Sequence, residues 1–254
     1  MKKVFCLGCL CVLLMLAGCS ASKSDGDVEL MISAAASLTD ALTDMKASFE
    51  SEHDNITLTI NPGSSGKLVQ QIENGAPADV FLSASKKDMD TLEAGELLLN
   101  ETRVNLTENE LVLITNKDET STVESFEDID PATIAHFAIG EPESVPVGRY
   151  TKEVLDHIGL WESLQGKMVL GSDVRQVLTH VEMGNADLGV VYASDAKISD
   201  QVKVVATANA EWHEPIVYPG AIIADTKNPE EAKLFMEYLT SKEGKEVLKK
   251  YGFK

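Results

Sequence analysis

The sequence predicts an α/β fold with mostly parallel sheets. Short apolar runs alternate with segments of helical spacing from residue 28 to the C-terminus. That alternation is the signature of strands joined by crossover helices. No internal repeat interrupts it, and small polar residues collect where the apolar runs give way to helices.

Val28-Glu29-Leu30-Met31-Ile32 reads as the first strand. After Ala34-Ala35-Ala36-Ser37, the residues Leu38, Ala41, Leu42, Met45 and Phe49 recur at helical spacing and share one face. Ser37 is expected as the N-cap of this helix, with Asp40 placed as in a capping box. Ile56 to Ile60 alternates apolar residues with Thr, a second strand, and Asn61 to Gly66 is a turn-rich loop. Leu68, Val69 and Ile72 mark a helix that ends near Asn74-Gly75, Val80-Phe81-Leu82 a short strand, and Met89 to Leu97 a helix. Leu111 to Thr115 and Ile134 to Ile139 are apolar strands, and Pro142 to Gly148 is a loop before a helix using Val154, Leu155 and Ile158. Ser172-Asp173 opens a helix with Val174, Val177, Leu178 and Val181 on one face. Leu188 to Tyr192 and Val202 to Ala206 are strands, Ile216 to Ile223 is a long apolar run, and Glu230 to Tyr251 forms a pair of helices.

The first residues carry a different message. Lys2 and Lys3 precede an apolar run from Val4 to Ala17. The run is shorter than the roughly 20 residues a membrane span needs, and reads as a secretory signal. It ends in Leu16-Ala17-Gly18-Cys19, the pattern of a bacterial lipoprotein cleavage site. Residues 1–18 are therefore expected to be a signal peptide, Cys19 to carry lipid, and 19–27 to be a flexible polar tether. This places the protein outside the cytoplasm, anchored to the cell membrane. Cys6, Cys9 and Cys11 leave with the signal, so the folded part offers no disulfide, thiol nucleophile or cysteine metal site. About 225 residues remain, enough for one large domain or two modest ones.

The net charge is −19, with no basic cluster, which argues against a nucleic-acid partner. An anionic ligand would have to be held by local dipoles, since the field of the whole chain repels it. The sequence supplies such dipoles. Ser37, the Ser64-Ser65 pair, the Val147-Gly148 loop and Ser172-Asp173 all lie where a helix begins. A helix N-terminus presents unpaired N–H groups and a partial positive charge. Taken singly, each of these residues reads equally well as a cap or a turn. The five histidines show no metal-ligand spacing, and His136 is expected to be a core residue inside a strand. Trp161 and Trp212 read as packing residues.

Several stretches together resemble the molybdate-binding proteins of bacterial ABC transporters. They are Ala34-Ala35-Ala36-Ser37-Leu38-Thr39, the run from Ile72 to Phe81 (IENGAPADVF) and the run from Gly140 to Gly148 (GEPESVPVG). Asp173-Val174-Arg175, the run from Gly189 to Ala196 (GVVYASDA) and Tyr251-Gly252-Phe253 complete the set. The resemblance covers the whole chain after the tether. It implies a two-lobed periplasmic-binding-protein fold of type II, with mixed, mostly parallel sheets, flanking helices and the ligand in the cleft between lobes. One lobe would comprise residues 28–108 and 209–254, the other 109–208, with crossings at Leu111–Thr115 and before Ile216. Position by position it implies oxyanion ligands at Ser37, Ser65, Val147, Val174 and Tyr192, the two valines through their backbone N–H. Ser64 and Lys67 are additional candidates. Some relatives have Ser-Thr where this chain has Gly66-Lys67, and Ala where Val147 stands. The implied function is capture of molybdate or tungstate for an ABC permease by a monomeric binding protein. No cofactor and no enzymatic activity are expected, and molybdenum would enter only as its oxyanion. A protein of the same fold binding sulfate or phosphate remains the alternative. Hydroxymethylbilane synthase shares the two-lobe fold, but it needs a cysteine that the folded part lacks.

Overall fold

The computed structural model describes residues 26–120 and 122–254. The signal segment, Cys19 and most of the tether lie outside the described residues.

The first half of the chain builds one sheet. It begins with β1 (Val28–Ala35), a 3-10 turn (Ala36–Leu38), α1 (Thr39–Glu52), β2 (Ile56–Gly63) and α2 (Ser65–Glu73). It continues through β3 (Val80–Leu82), α3 (Lys86–Ala94) and β4 (Val104–Glu108). The next part builds a second sheet from β5 (Leu111–Asn116), β6 (Phe137–Gly140), α4 (Pro146–His157), α5 (Trp161–Leu164) and β7 (Met168–Gly171). This part closes with α6 (Val174–Glu182), β8 (Leu188–Tyr192), α7 (Ala193–Lys197) and β9 (Val202–Thr207). The chain then returns to the first sheet as β10 (Val217–Ile222) and ends in α8 (Pro229–Thr240) and α9 (Lys242–Lys250).

The strand orders are β2-β1-β3-β10-β4 and β7-β6-β8-β5-β9. In the first sheet β1 runs parallel to β2 and β3, while β10 is antiparallel to β3 and β4. The second repeats the scheme, with β6 parallel to β7 and β8, and β5 antiparallel to β8 and β9. The sheets are mixed, as expected, but parallel pairing does not dominate. β5 and β10 each arrive directly from the other sheet, without the crossover helix that would turn them parallel to their neighbours.

Helices cover the sheets as the spacing predicts. Ala41, Leu42, Met45 and Phe49 of α1 are buried, and so are Val174, Val177, Leu178 and Val181 of α6, which packs on β6, β7 and β8. Four expectations need correction. Ser37 is not an N-cap: the 3-10 turn intervenes, and its side chain turns inward to Tyr218. Leu111–Thr115 is strand β5 itself, and the chain crosses between sheets at Asn109-Glu110 and again between β9 and β10. α4 begins at Pro146, inside the expected loop, because proline at the first helical turn has its φ preset and no N–H to satisfy. His136 is exposed and precedes β6, its backbone N–H donating to Asp187 at 2.9 Å.

Candidate anion site

The sequence-predicted residues all follow strands. Ser37 lies in the 3-10 turn after β1, Ser65 follows β2, Val147 follows the loop leaving β6, Val174 follows β7, and Tyr192 ends β8. Parallel register aligns these ends, with Ala35 beside Gly63 and Gly140 beside Gly171. Ligands of open α/β sheets bind at such carboxyl ends. Ser37, Ser64, Ser65, Val147, Val174 and Tyr192 line one small cavity, together with Ala84 and Asp173. The enclosed space, about 10 Å³, is on the scale of a single water molecule, which excludes organic ligands and leaves room only for a small ion.

The cavity is lined by donors. Val147 is the second residue of α4 and Val174 the first of α6, positions whose N–H groups have no acceptor inside the helix. Ser65 opens α2, and its Oγ accepts from the Ala84 N–H at 3.0 Å, so the hydroxyl proton remains for another partner. Ser37 Oγ lies 2.9 Å from the Tyr218 hydroxyl. Tyr192 is buried at the cavity wall, and its hydroxyl has no hydrogen-bond partner among the described residues. Burial pushes both the Tyr192 and Tyr218 phenols well above their ordinary range, so each keeps its proton at neutral pH. Three helix N-termini, those of α2, α4 and α6, thus converge with three hydroxyls.

The additional candidates divide. Ser64 lines the cavity and caps α2, its Oγ accepting from the Lys67 N–H at 3.4 Å. Lys67 does not line the cavity; its Nζ donates to the Ser172 carbonyl at 3.2 Å. Asp173 lines the cavity but caps α6, with Oδ1 accepting from the Gln176 N–H at 3.0 Å. No group of three potential metal ligands occurs among the described residues.

Sequence reasoning missed the contacts that draw the two sheets' elements together around this cavity. The Gly66 N–H donates to the Ser144 carbonyl at 3.1 Å, and a Cβ at Gly66 would stand 2.5 Å from that oxygen. Arg149 of α4 pairs with the buried Asp88 of α3. Arg175 of α6 reaches Asp40 of α1 at 2.6 Å and Asp195 of α7 at 2.7 Å. Arg175 and Asp195 stand in stretches that carried the resemblance. Their signal was present in the sequence, but their pairing spans distant elements. Tyr218 and Asn109 were also missed; each sits near a crossing, with Asn109 Nδ2 3.4 Å from the Tyr218 hydroxyl.

Comparison with known proteins agrees with this geometry. Residues 30–254 match the family described as bacterial extracellular solute-binding protein. The chain is 45% identical to YvgL of Bacillus subtilis, provisionally named an ABC transporter substrate-binding lipoprotein, over 97% of this chain and 96% of that protein. It is 37% identical to the molybdate-binding protein ModA of Haemophilus influenzae, over 94% of this chain and 95% of that one. Among solved structures, the periplasmic molybdate-binding protein of Azotobacter vinelandii superposes with a TM-score of 0.78 at 27% identity, covering 89% of this chain and 98% of that one. With strand ends, helix N-termini and buried hydroxyls gathered as its fold requires, the chain belongs to the bacterial extracellular solute-binding protein family.

Proposed function

We propose that this protein captures molybdate, and tungstate with it, outside the cytoplasm and delivers it to the permease of an ABC importer. The observation that carries the reading is the Tyr192 hydroxyl, buried at the cavity wall without a partner among the described residues. A buried polar group left unpaired costs about 1–3 kcal/mol, so such a group implies a ligand that completes it. The ligands in this reading are Ser37, Ser65, Val147, Val174 and Tyr192, with Ser64 beside them. Hydroxyls and backbone N–H groups donate irrespective of pH near neutrality, and suit a tetrahedral dianion. Sulfate carries the same charge on shorter bonds and would not reach every donor at once. Hydrogen phosphate would need an acceptor for its proton; among the described residues lining the cavity only Asp173 could supply one, and its Oδ1 and Oδ2 already accept from the Gln176 N–H and the Ser172 hydroxyl.

In this reading residues 28–108 and 209–254 form one lobe and 109–208 the other. The protein acts as a monomeric binding protein, not an enzyme. Names of its relatives support the transport role, and the Leu16-Ala17-Gly18-Cys19 pattern supports a lipid anchor on Cys19. Palmitate labelling of whole cells should tag the wild type and leave Cys19→Ala untagged; equal labelling would refute the anchor. The test of the ligand is calorimetry with molybdate, tungstate, sulfate and phosphate. Molybdate and tungstate should bind tightly and the other two far more weakly. Tyr192→Phe should weaken molybdate by about 1–3 kcal/mol while leaving the ligand-free melting temperature equal or higher, because it removes an unpaired buried hydroxyl. Comparable affinity for sulfate and molybdate would overturn the assignment.

A further inference from the structure

We propose that Asn109 and Tyr218 form a positioning relay that fixes the Ser37 hydroxyl as a donor toward the bound oxyanion, and thereby excludes anions that carry a proton. The inference rests on the reading that Ser37 contacts the oxyanion. Its starting point is the side-chain amide of Asn109, a buried residue at the first crossing between the sheets. The Glu110 N–H donates to Asn109 Oδ1 at 2.9 Å, which fixes the amide orientation, since the flipped form would set two donors against each other. Nδ2 then has two protons to place. One goes to Ser194 Oγ at 2.9 Å, the other to the Tyr218 hydroxyl oxygen at 3.4 Å.

An amide nitrogen accepts nothing, so the Tyr218 proton cannot point back at Asn109. The other hydrogen-bond partner of the phenol is Ser37 Oγ at 2.9 Å. The phenol proton therefore goes to Ser37, and Ser37's own proton is left to point into the cavity it lines. Burial keeps the Tyr218 phenol protonated, so this direction does not reverse near neutral pH. The Ala84 N–H does the same for Ser65. Both serines thus present hydrogen to the cavity, and at those two positions an anion's own proton would meet a donor facing a donor. Asn109 is also tied to the second crossing, its N–H donating to the Ile216 carbonyl at 3.0 Å, so the relay starts where the two sheets are joined.

The test is a double-mutant cycle read by calorimetry at pH 8 on Ser37→Ala, Tyr218→Phe and the double variant, with molybdate and inorganic phosphate as probes. Tyr218→Phe keeps the ring and its edge-on contacts with Tyr192 and Phe253. It should weaken molybdate by about 10-fold, the scale of one charge-assisted hydrogen bond. In the Ser37→Ala background the same change should add less than about twofold, because the relay acts only through Ser37. The molybdate-to-phosphate preference should fall in Tyr218→Phe, since the freed Ser37 hydroxyl can rotate to accept. Asn109→Ala should move that preference the same way, and serves if Tyr218→Phe does not fold. Additive losses in the double variant, or equal losses for both anions, would overturn the relay while leaving the oxyanion reading standing. No molybdate binding by the wild type, or unchanged binding by Ser37→Ala, would overturn that reading instead and the relay with it.

Discussion

Asp195 shows how strongly one buried residue can tie this fold to pH. It is fully buried in α7, next to Arg175 and close to the Tyr192 and Tyr218 phenols. Burial pushes its carboxyl up to about 7, with Arg175 pulling the other way and the Asp40 charge adding to the rise. The folded chain then keeps a proton that the unfolded chain has already released. Stability is greatest where both states are protonated, and falls as pH rises toward about 7, above which the loss is complete. Asp195→Asn should flatten this dependence. Scanning calorimetry of the ligand-free protein from pH 5 to pH 8 should show the wild-type melting temperature falling more than the variant's; parallel curves would contradict the assignment. At this scale, legibility depends on range. The helix starts at Ser64-Ser65 and Ser172-Asp173 were readable because a cap announces itself locally, whereas Val147 and Val174 are implied as ligands only by the resemblance. The Tyr218 partnership with Ser37 and Asn109 was not readable, because it joins residues far apart in sequence whose neighbours carry no pattern.

At the scale of elements, the N-terminus of α2 abuts the loop that leads into α4. The Gly66 N–H reaches the Ser144 carbonyl so closely that a Cβ here would stand 2.5 Å from that oxygen, and the loop would have to shift to admit it. Gly66→Ala should therefore hold the cleft ajar. Overpacking of this kind costs about 1–3 kcal/mol. Molybdate affinity should drop by roughly that amount, with the unliganded melting temperature little changed. Small-angle scattering should show the wild type compacting on molybdate addition and the variant compacting less; full compaction of the variant would disprove the role of this contact. Two strands that the sequence did not reveal, β4 and β7, share a cause. β4 and β7 each lie at one edge of a sheet, beside β10 and β6. β4 buries only Leu106 and Thr107, and β7 leaves Leu170 half exposed. Both are short and bury little apolar surface, so periodicity does not mark them, whereas the other edge strands, β2 and β9, are longer and carry a readable pattern. The central strands β1, β5 and β8 were plain for the opposite reason.

The molecule as a whole is two sheets of the same layout, each with its parallel strands on one side and an antiparallel strand received from the other sheet. Strand-helix alternation reported the class but not this division. Asn109-Glu110 carries the chain across in two residues and leaves no compositional mark, so the two-lobed expectation came from resemblance alone. A different consequence follows from the donor set. The groups proposed to hold the ligand are neutral dipoles, and the charged residue lining the cavity among the described residues, Asp173, is itself an anion, while the chain carries a net charge of −19. Dipoles act over contact distances; the net charge acts over about 10 Å at 0.1 M salt and farther in dilute solution. An approaching dianion is therefore repelled before it is attracted. Adding salt should quicken capture, the reverse of what steered ligands do. Stopped-flow mixing should show the association rate for molybdate rising with ionic strength while the dissociation rate stays nearly constant, and a falling association rate would refute the argument. Surrounding ions then become a throttle on uptake: in dilute water the protein is a slow collector, and in brine a fast one, with the same grip once the anion is seated.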